Sequence, residues 1–558
     1  GNLAETPRPA TLDASVLSCP SLPGGRPAKN CTFPPGQTGV KVGLASSGGG
    51  GRAHAFLVGV LRGLTELGLM EHVGLISTVS GSSWAMGPYI FANGTDEQLL
   101  GRATRPEELT LDFLQANHSQ IAATAATDMV YLARGCILDF FHMGTCWIKT
   151  VGEAHLAPFG LDGQAYVARS EEDVKLIKAA NPALQDEKIL TPRADRPPVI
   201  FQGTLLAPEP FPPGQDSSVS FQMSPDYVGS PFYPDGGPVD YTRWSWFHRT
   251  TETRIVGGGF VETFAFGGEQ PEGPASAGRV RVGAPSRAFA LPDMIGISSW
   301  AIGEAVAHIA DSATEDPEAL YWPVMSPDLP APASAMEYTA TKYVFGDGGN
   351  IDSSGLLVHL QRGTRKLVWV ANAASGLSDK YDWHQQCDCG TECGELLPSP
   401  RDTGLADQVL DKFGIAPQSV EMKFGASVSH NTVFQEKDLR TLACSLWEAK
   451  SQGKPAVVRQ SLEVLPNSWW GIAGESHVEI LLLYLDSSTD FEGALPGPTQ
   501  EALRSGRRFR DFPHYNTVFQ DPLDFKMVAY TMEQVNLLAA YGEYAVKQYA
   551  GDFAEFMA

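Results

Sequence analysis

The sequence predicts an α/β protein of three layers, α/β/α, built on a central mixed, largely parallel sheet and carrying a helical cap insertion. Two observations lead there. First, two strand-loop-helix units follow one another: the apolar run VKVGLA, the glycine stretch SSGGGG and a helix from Arg52 to about Leu69, then GLISTV, the turn SGSSW and a helix from Ser83 toward Phe91. Consecutive units of this kind place neighbouring strands in parallel. Second, the remaining strand candidates, PVIFQGTLL, RKLVWVANA and HVEILLLYL, lie far apart, so the sheet is assembled from distant segments.

In chain order, residues 1–38 are rich in Pro and Gly without sustained periodicity and are expected to form a surface arm pinned by Cys19 and Cys31. Residues 39–558 are expected to form one α/β domain. Between about 95 and 195 the segments TDEQLLGRA, EELTLDFLQA and EEDVKLIKAA have helical character, which predicts the cap. The portion from about 375 to 558 is less assignable, though its tail from Thr531 reads as amphipathic helix.

Composition excludes several functions. The chain has 558 residues and a net charge of −23, from 64 acidic against 41 basic side chains, and carries no Lys/Arg cluster. Nucleic acid is therefore not an expected partner, and electrostatic docking on anionic lipid is disfavoured. No run approaches the roughly 18 to 20 apolar residues of a spanning helix, so no transmembrane segment is expected. Eight cysteines, with the short-loop pairs Cys19/Cys31 and Cys136/Cys146, and three sequons at Asn30, Asn93 and Asn117, favour a disulfide-bonded glycoprotein. A secreted or lumenal location is expected, with the cytoplasm as the alternative. The Cys387, Cys389, Cys393 cluster fits no standard zinc spacing and reads as disulfides, so no metal or other cofactor is expected.

Attack on an ester carbonyl needs a nucleophile held clear of the sheet, a base, and donors for the oxyanion. Ser82, in VSGSSW, sits at a strand-to-helix turn, although Ser and Gly alone mark a loop or a cap. The run Gly48 to Gly51 ends the preceding strand, where free amides can face the same spot. A Walker loop would end in GKS or GKT, and this run ends in Arg52-Ala53. Asp347 lies in FGDGGN, which alone would read as a turn. Together, and in this order, the three motifs describe an acyl-transfer site. A carboxylate near its ordinary pKa of about 4 is a weak base, so such a site requires Asp347 to be desolvated. The twelve histidines offer no triad signature, and His54 reads as a packing residue. The aromatic set Tyr241, Trp244, Trp246, Phe247 suits an acyl tunnel, a lipid contact or a core.

The motifs SGGGGRA, SGSSWAMG and GDGG, with FQMSPDYVGSPF and DMIGISSW, resemble the cytosolic phospholipase A2 and fungal phospholipase B (lysophospholipase) branch of the patatin-like hydrolases over residues 43 to about 360. Two departures stand out: Thr78 where the family carries Gly, and Asp226-Tyr227 where it carries Tyr-Glu. The resemblance implies Ser82 as nucleophile, Asp347 as base, Gly49 and Gly50 as oxyanion donors, and Arg52 as a group that binds a substrate phosphate or steadies the catalytic loop. It implies a serine acyl hydrolase that cleaves fatty-acyl esters of phospholipids or lysophospholipids through an acyl-enzyme, with a lipid or membrane surface as partner. Alternatives are a transacylase, a galactolipid or neutral-lipid lipase and, in another class, a weakly active storage or lipid-binding protein.

Overall fold

The apolar runs named above as strands are strands in the structure, a computed structural model that describes residues 11–19, 31–129, 131–132, 143–212, 214, 217–231, 238–245, 248–271, 275–300, 317–324, 339–388, 394–416, 430–474, 476–506, 508–517 and 529–558. Among the described residues a sheet of thirteen strands runs through the molecule. In chain order they are β1 (Thr11–Ser18), β2 (Val42–Ser46), β3 (Val73–Val79), β4 (Val199–Pro208), β5 (Val219–Met223), β6 (Tyr227–Ser230), β7 (Gly259–Glu262), β8 (Arg279–Gly283), β9 (Glu318–Tyr321), β10 (Thr341–Asp347), β11 (Lys366–Ala371), β12 (Ala456–Val464) and β13 (Ser476–Tyr484). The spatial order is β8-β1-β7-β6-β5-β4-β3-β2-β11-β13-β12, with β10 on β4 and β9 on β10.

The centre, β4-β3-β2-β11-β13, is parallel, and the other described pairings of this sheet are antiparallel. Central strands are buried on both faces, which is why they read as continuous apolar runs. Their side chains still alternate between two cores. In β11, Val368 and Val370 join one core while Leu367, Trp369 and Ala371 join the other. Against the first face pack α1 (Gly50–Glu66), α2 (Gly81–Phe91), α3 (Leu291–Ser298) and α5 (Met532–Gln548); against the second packs α4 (Asp438–Ser451). Helix, sheet, helix is the expected layering. The α1 and α5 backbones meet so closely that a methyl group on Gly59 would lie 1.8 Å from the Ala539 carbonyl oxygen.

Two features differ from expectation. Part of the segment read as an arm is strand β1, because Leu12, Ala14 and Val16 alternate inward against β7 and β8. The antiparallel flank, β5 to β8, is the second, and its strands run only four or five residues between Pro/Gly-rich loops. Residues 95–195 are helical where described, including Asp96–Leu100, Leu111–Gln115, Gln120–Thr124, Met143–Val151 and Glu171–Ala180, with the short strand pair Tyr166–Val167 and Ile189–Leu190. No described helix is long and apolar enough to cross a membrane.

Candidate active site

The site is made by two strands that meet head-on. Gly203 to Leu205 of β4 pair with β5 on one side and with β10 on the other; Phe201 and Gln202 pair with β5 and with β3. Hence β3 and β10 share one side of β4, running toward each other. Val79, the last residue of β3, stands opposite Gln202, and Asp347, the last of β10, stands opposite Gly203. Both chains must leave the sheet there, and the next residues, Ser80 and Gly348, are brought to one point. Gly348 is required for the fit, since a Cβ on it would lie 2.5 Å from the Gln202 carbonyl oxygen.

Three amides freed at this junction are taken up by the bend that ends α3. Ser80 donates its N–H to the Ser298 carbonyl at 3.0 Å, Gly348 donates to the same oxygen at 3.3 Å, and Asp347 donates to Trp300 at 3.1 Å. Ser80 occupies the strand-to-helix corner as N-cap of α2, with φ 54° and ψ −127°. A non-glycine residue held there costs roughly 1–3 kcal/mol, a strain that clusters at reactive sites. Gly81 follows because the Gly50 carbonyl oxygen lies 2.0 Å from where its Cβ would stand, so the elbow and the glycine loop touch backbone to backbone.

Ser82, the serine expected from the sequence to react, does not stand at this corner. Ser82 is two residues into α2, fully buried, and its hydroxyl donates to the Ser47 carbonyl at 2.6 Å. It also lies 2.8 Å from the Ser46 hydroxyl and accepts from the Asn372 amide at 3.4 Å. Among the described residues, none of its bonds reaches Asp347. Ser80, by contrast, contributes a side-chain hydrogen bond that lowers the Asp347 pKa. In the sequence Ser80, Ser82 and Ser83 share one local pattern, and it is the positive φ at the corner that sets Ser80 apart.

Asp347 is 3% exposed. Its carboxylate accepts the Gly349 N–H at 2.7 Å, and its carbonyl accepts the Thr204 hydroxyl at 2.7 Å. Burial pushes its pKa up to about 7, against the lowering effect of the Gly349 amide and Ser80. A carboxylate so tuned is a competent base near neutrality.

Gly49 and Gly50 have φ of 138° and 54°, backbone that favours glycine, and they open α1. First-turn amides have no intrahelical acceptor, and among the described residues neither amide donates to another backbone carbonyl. Gly48 is fixed to the aspartate loop by its N–H bond to the Ser353 carbonyl at 3.0 Å. Arg52, 4% exposed, donates to the Tyr515 carbonyl at 2.8 Å and to the Asn372 carbonyl at 3.4 Å. These bonds tie the first turn of α1 to the chain at Asn372 and Tyr515.

His54 is buried, bonds the Ile121 carbonyl at 3.0 Å and is held down to a pKa of about 4 by desolvation, as a packing histidine would be. Tyr241 is core, edge-on to Tyr343; Trp246 and Phe247 lie outside the described residues. Disulfides join Cys19 to Cys31 and Cys387 to Cys444. Cys146 is also disulfide-bonded, while Cys136, Cys389, Cys393 and the sequon Asn30 lie outside the described residues. Among the described residues no group of three or more His, Cys, Asp or Glu is arranged to hold a metal.

No protein-family model matches the chain. A stretch of 56 residues, 10% of the chain and 9% of the relative, is 45% identical to cytosolic phospholipase A2 gamma of Mus musculus. Among solved structures, human GIVD cytosolic phospholipase A2 is similar with a TM-score of 0.44 at 13% identity, over 92% of this chain and 59% of that one. The same human protein in complex with methyl gamma-linolenyl fluorophosphonate gives 0.39 at 13% identity, over 95% of this chain and 60% of that one. The chain thus spans about 60% of the length of those structures and matches under a tenth of the curated relative.

Proposed function

We propose that the chain is a serine acyl hydrolase that cleaves fatty-acyl esters of phospholipids or lysophospholipids, with Ser80 as nucleophile and Asp347 as base. The observation that carries this reading is the strained Ser80 elbow, set against a buried carboxylate whose pKa is raised to about 7. The choice of a lipid ester rests on the resemblance of the five motifs. Ser80 Oγ attacks the acyl carbonyl and its proton passes to Asp347, while the amides of Gly49 and Gly50 receive the oxyanion. The intermediate collapses with loss of the alcohol, which takes the proton back from Asp347 and leaves an acyl-Ser80 ester. Water attacks that ester, gives a proton to Asp347, and the fatty acid leaves as the proton returns to Ser80.

Ser82 in this scheme is a brace: with Ser46 and Asn372 it holds Ser47, and through it the glycine loop. The helices of residues 95–195 act as a cap. An oxidising compartment is supported by the two described disulfides and by the exposure of the sequon residues Asn93 and Asn117.

The test is hydrolysis by the purified chain of a panel of phospholipid, lysophospholipid, galactolipid and triacylglycerol. Release of fatty acid from the first two, lost in Ser80→Ala and Asp347→Asn but largely kept in Ser82→Ala, is expected. Binding of lipid without release, or activity that survives Ser80→Ala, would overturn the reading.

A further inference from the structure

We infer that Thr78, Ser83 and Ser298 form a hydroxyl chain that positions the Ser80 elbow against the Asp347 loop, an inference that rests on Ser80 and Asp347 being nucleophile and base. All three side chains are fully buried. Thr78 Oγ1 lies 3.0 Å from Ser83 Oγ, and Ser83 Oγ lies 2.8 Å from Ser298 Oγ. Ser298 Oγ then accepts the Ser80 N–H at 3.2 Å, beside the bond that the Ser298 carbonyl makes to the same amide.

The chain crosses three elements. Thr78 is the penultimate residue of β3, Ser83 is in the first turn of α2, and Ser298 ends α3. The strained residue is therefore bracketed on both sides, two positions before and three after, by hydroxyls tied to the bend that also takes the amides of Asp347 and Gly348. A buried hydroxyl that merely needs a partner commonly bonds back to its own helix, as Ser299 does to the Ile295 carbonyl at 2.7 Å. Ser83 and Ser298 spend their hydroxyls on each other across an element boundary instead. Head-on strands have no ladder between them, so the corner after β3 and the loop after β10 are set against each other through β4 and through the bend that ends α3. The hydroxyl chain joins the β3 side to that bend, while the Ser298 and Trp300 carbonyls hold the β10 side. These are positioning residues; none has been placed at the reacting atoms.

The experiment compares Thr78→Val, Thr78→Ser, Ser298→Ala and the double variant Thr78→Val/Ser298→Ala in the full chain. Turnover is expressed per site titrated with a fluorophosphonate, so that unfolded protein is not counted. Thr78→Val and Ser298→Ala are expected to lower kcat about tenfold at unchanged KM, since displacement of a reacting group by about 1 Å can cost that much or more. Thr78→Ser should restore it, and the double variant should be no slower than Ser298→Ala. A wild-type kcat per titrated site, or losses that multiply in the double variant, would overturn the inference. A second readout needs no turnover: carbon-13 titration of the Asp347 carboxyl, assigned by its loss in Asp347→Asn. In Thr78→Val and Ser298→Ala its midpoint is expected to move up as the Ser80 interaction weakens, and an unmoved midpoint would overturn the inference. Should Ser80→Ala retain hydrolysis, the dyad fails, and the midpoint still decides whether the chain positions Ser80.

Discussion

Asp347 pays for its reactivity in stability. Its pKa is raised from the ordinary 3.8 to about 7, so between those values the folded chain holds a proton that the unfolded chain has released. The stabilisation is complete below about pH 4 and is lost as pH rises through 7, on the order of 4 kcal/mol in all. Asp347→Asn, which never ionises, is accordingly expected to unfold at a higher temperature than wild type at pH 8 and to lose that advantage at pH 4, as calorimetry would read. Catalysis runs the opposite way, because the base must be ionised. The profile of kcat/KM should rise through a single ionisation near pH 7 and level off above it; a flat profile from pH 5 to 8 would remove Asp347 as base. At this scale Asp347 was singled out in the sequence, though only as one of three motifs in order, since an Asp-Gly pair alone reads as a turn. Ser80 was not, because three serines within four residues share one local pattern and only the backbone separates them. Positive φ falls on Ser80, and the first helical turn carries Ser82 to the Ser46 and Ser47 side.

Elements, more than side chains, bring the reactive groups together. β3 and β10 belong to segments more than 260 residues apart in sequence, and β4 serves both as a track. The parallel centre was readable because strands buried on both faces read as nearly continuous apolar runs, each here followed or preceded by a recognisable turn. The antiparallel partners were not, since strands of four or five residues flanked by Gly and Pro carry too few alternations to stand out. The head-on junction was beyond reach for the same reason: β10, TKYVFGD, has only three strongly apolar positions and shows its strand character only against β4. Contact between the elbow and the glycine loop gives a direct test of this scale. Gly81→Ala would press a methyl group into the Gly50 carbonyl, and overpacking of this kind costs about 1–3 kcal/mol. Because the strain falls on both the nucleophile and the oxyanion loop, the folded variant is expected to lose at least tenfold in kcat, measured per titrated site, along with its lowered melting temperature.

Across the whole molecule, the C-terminal portion that resisted assignment proves to hold the aspartate loop in place. Lys412 is fully buried between Asp352, at 3.1 Å, and Asp411, at 2.8 Å, and Asp352 lies five residues after Asp347. The Asp352 carboxylate also accepts the amides of Ser354 at 2.9 Å and Leu357 at 3.2 Å, while Asn431 ties Asp411 to the Ile351 carbonyl. Removing one partner from a buried ion cluster leaves charge uncompensated. Lys412→Met is expected to cost about 3–5 kcal/mol in a urea melt, far more than a surface lysine. Nothing in local sequence announces such a cluster, since Asp352 lies about sixty residues before Asp411 and Lys412 and the fold brings them together. Which serine reacts decides the mechanism. Its most direct test is peptide mapping of the adduct formed with a fluorophosphonate on wild type, Ser80→Ala and Ser82→Ala. Modification at Ser80 in wild type, kept in Ser82→Ala and absent from Ser80→Ala, is the predicted result; modification at Ser82, or labelling that survives Ser80→Ala, would contradict it.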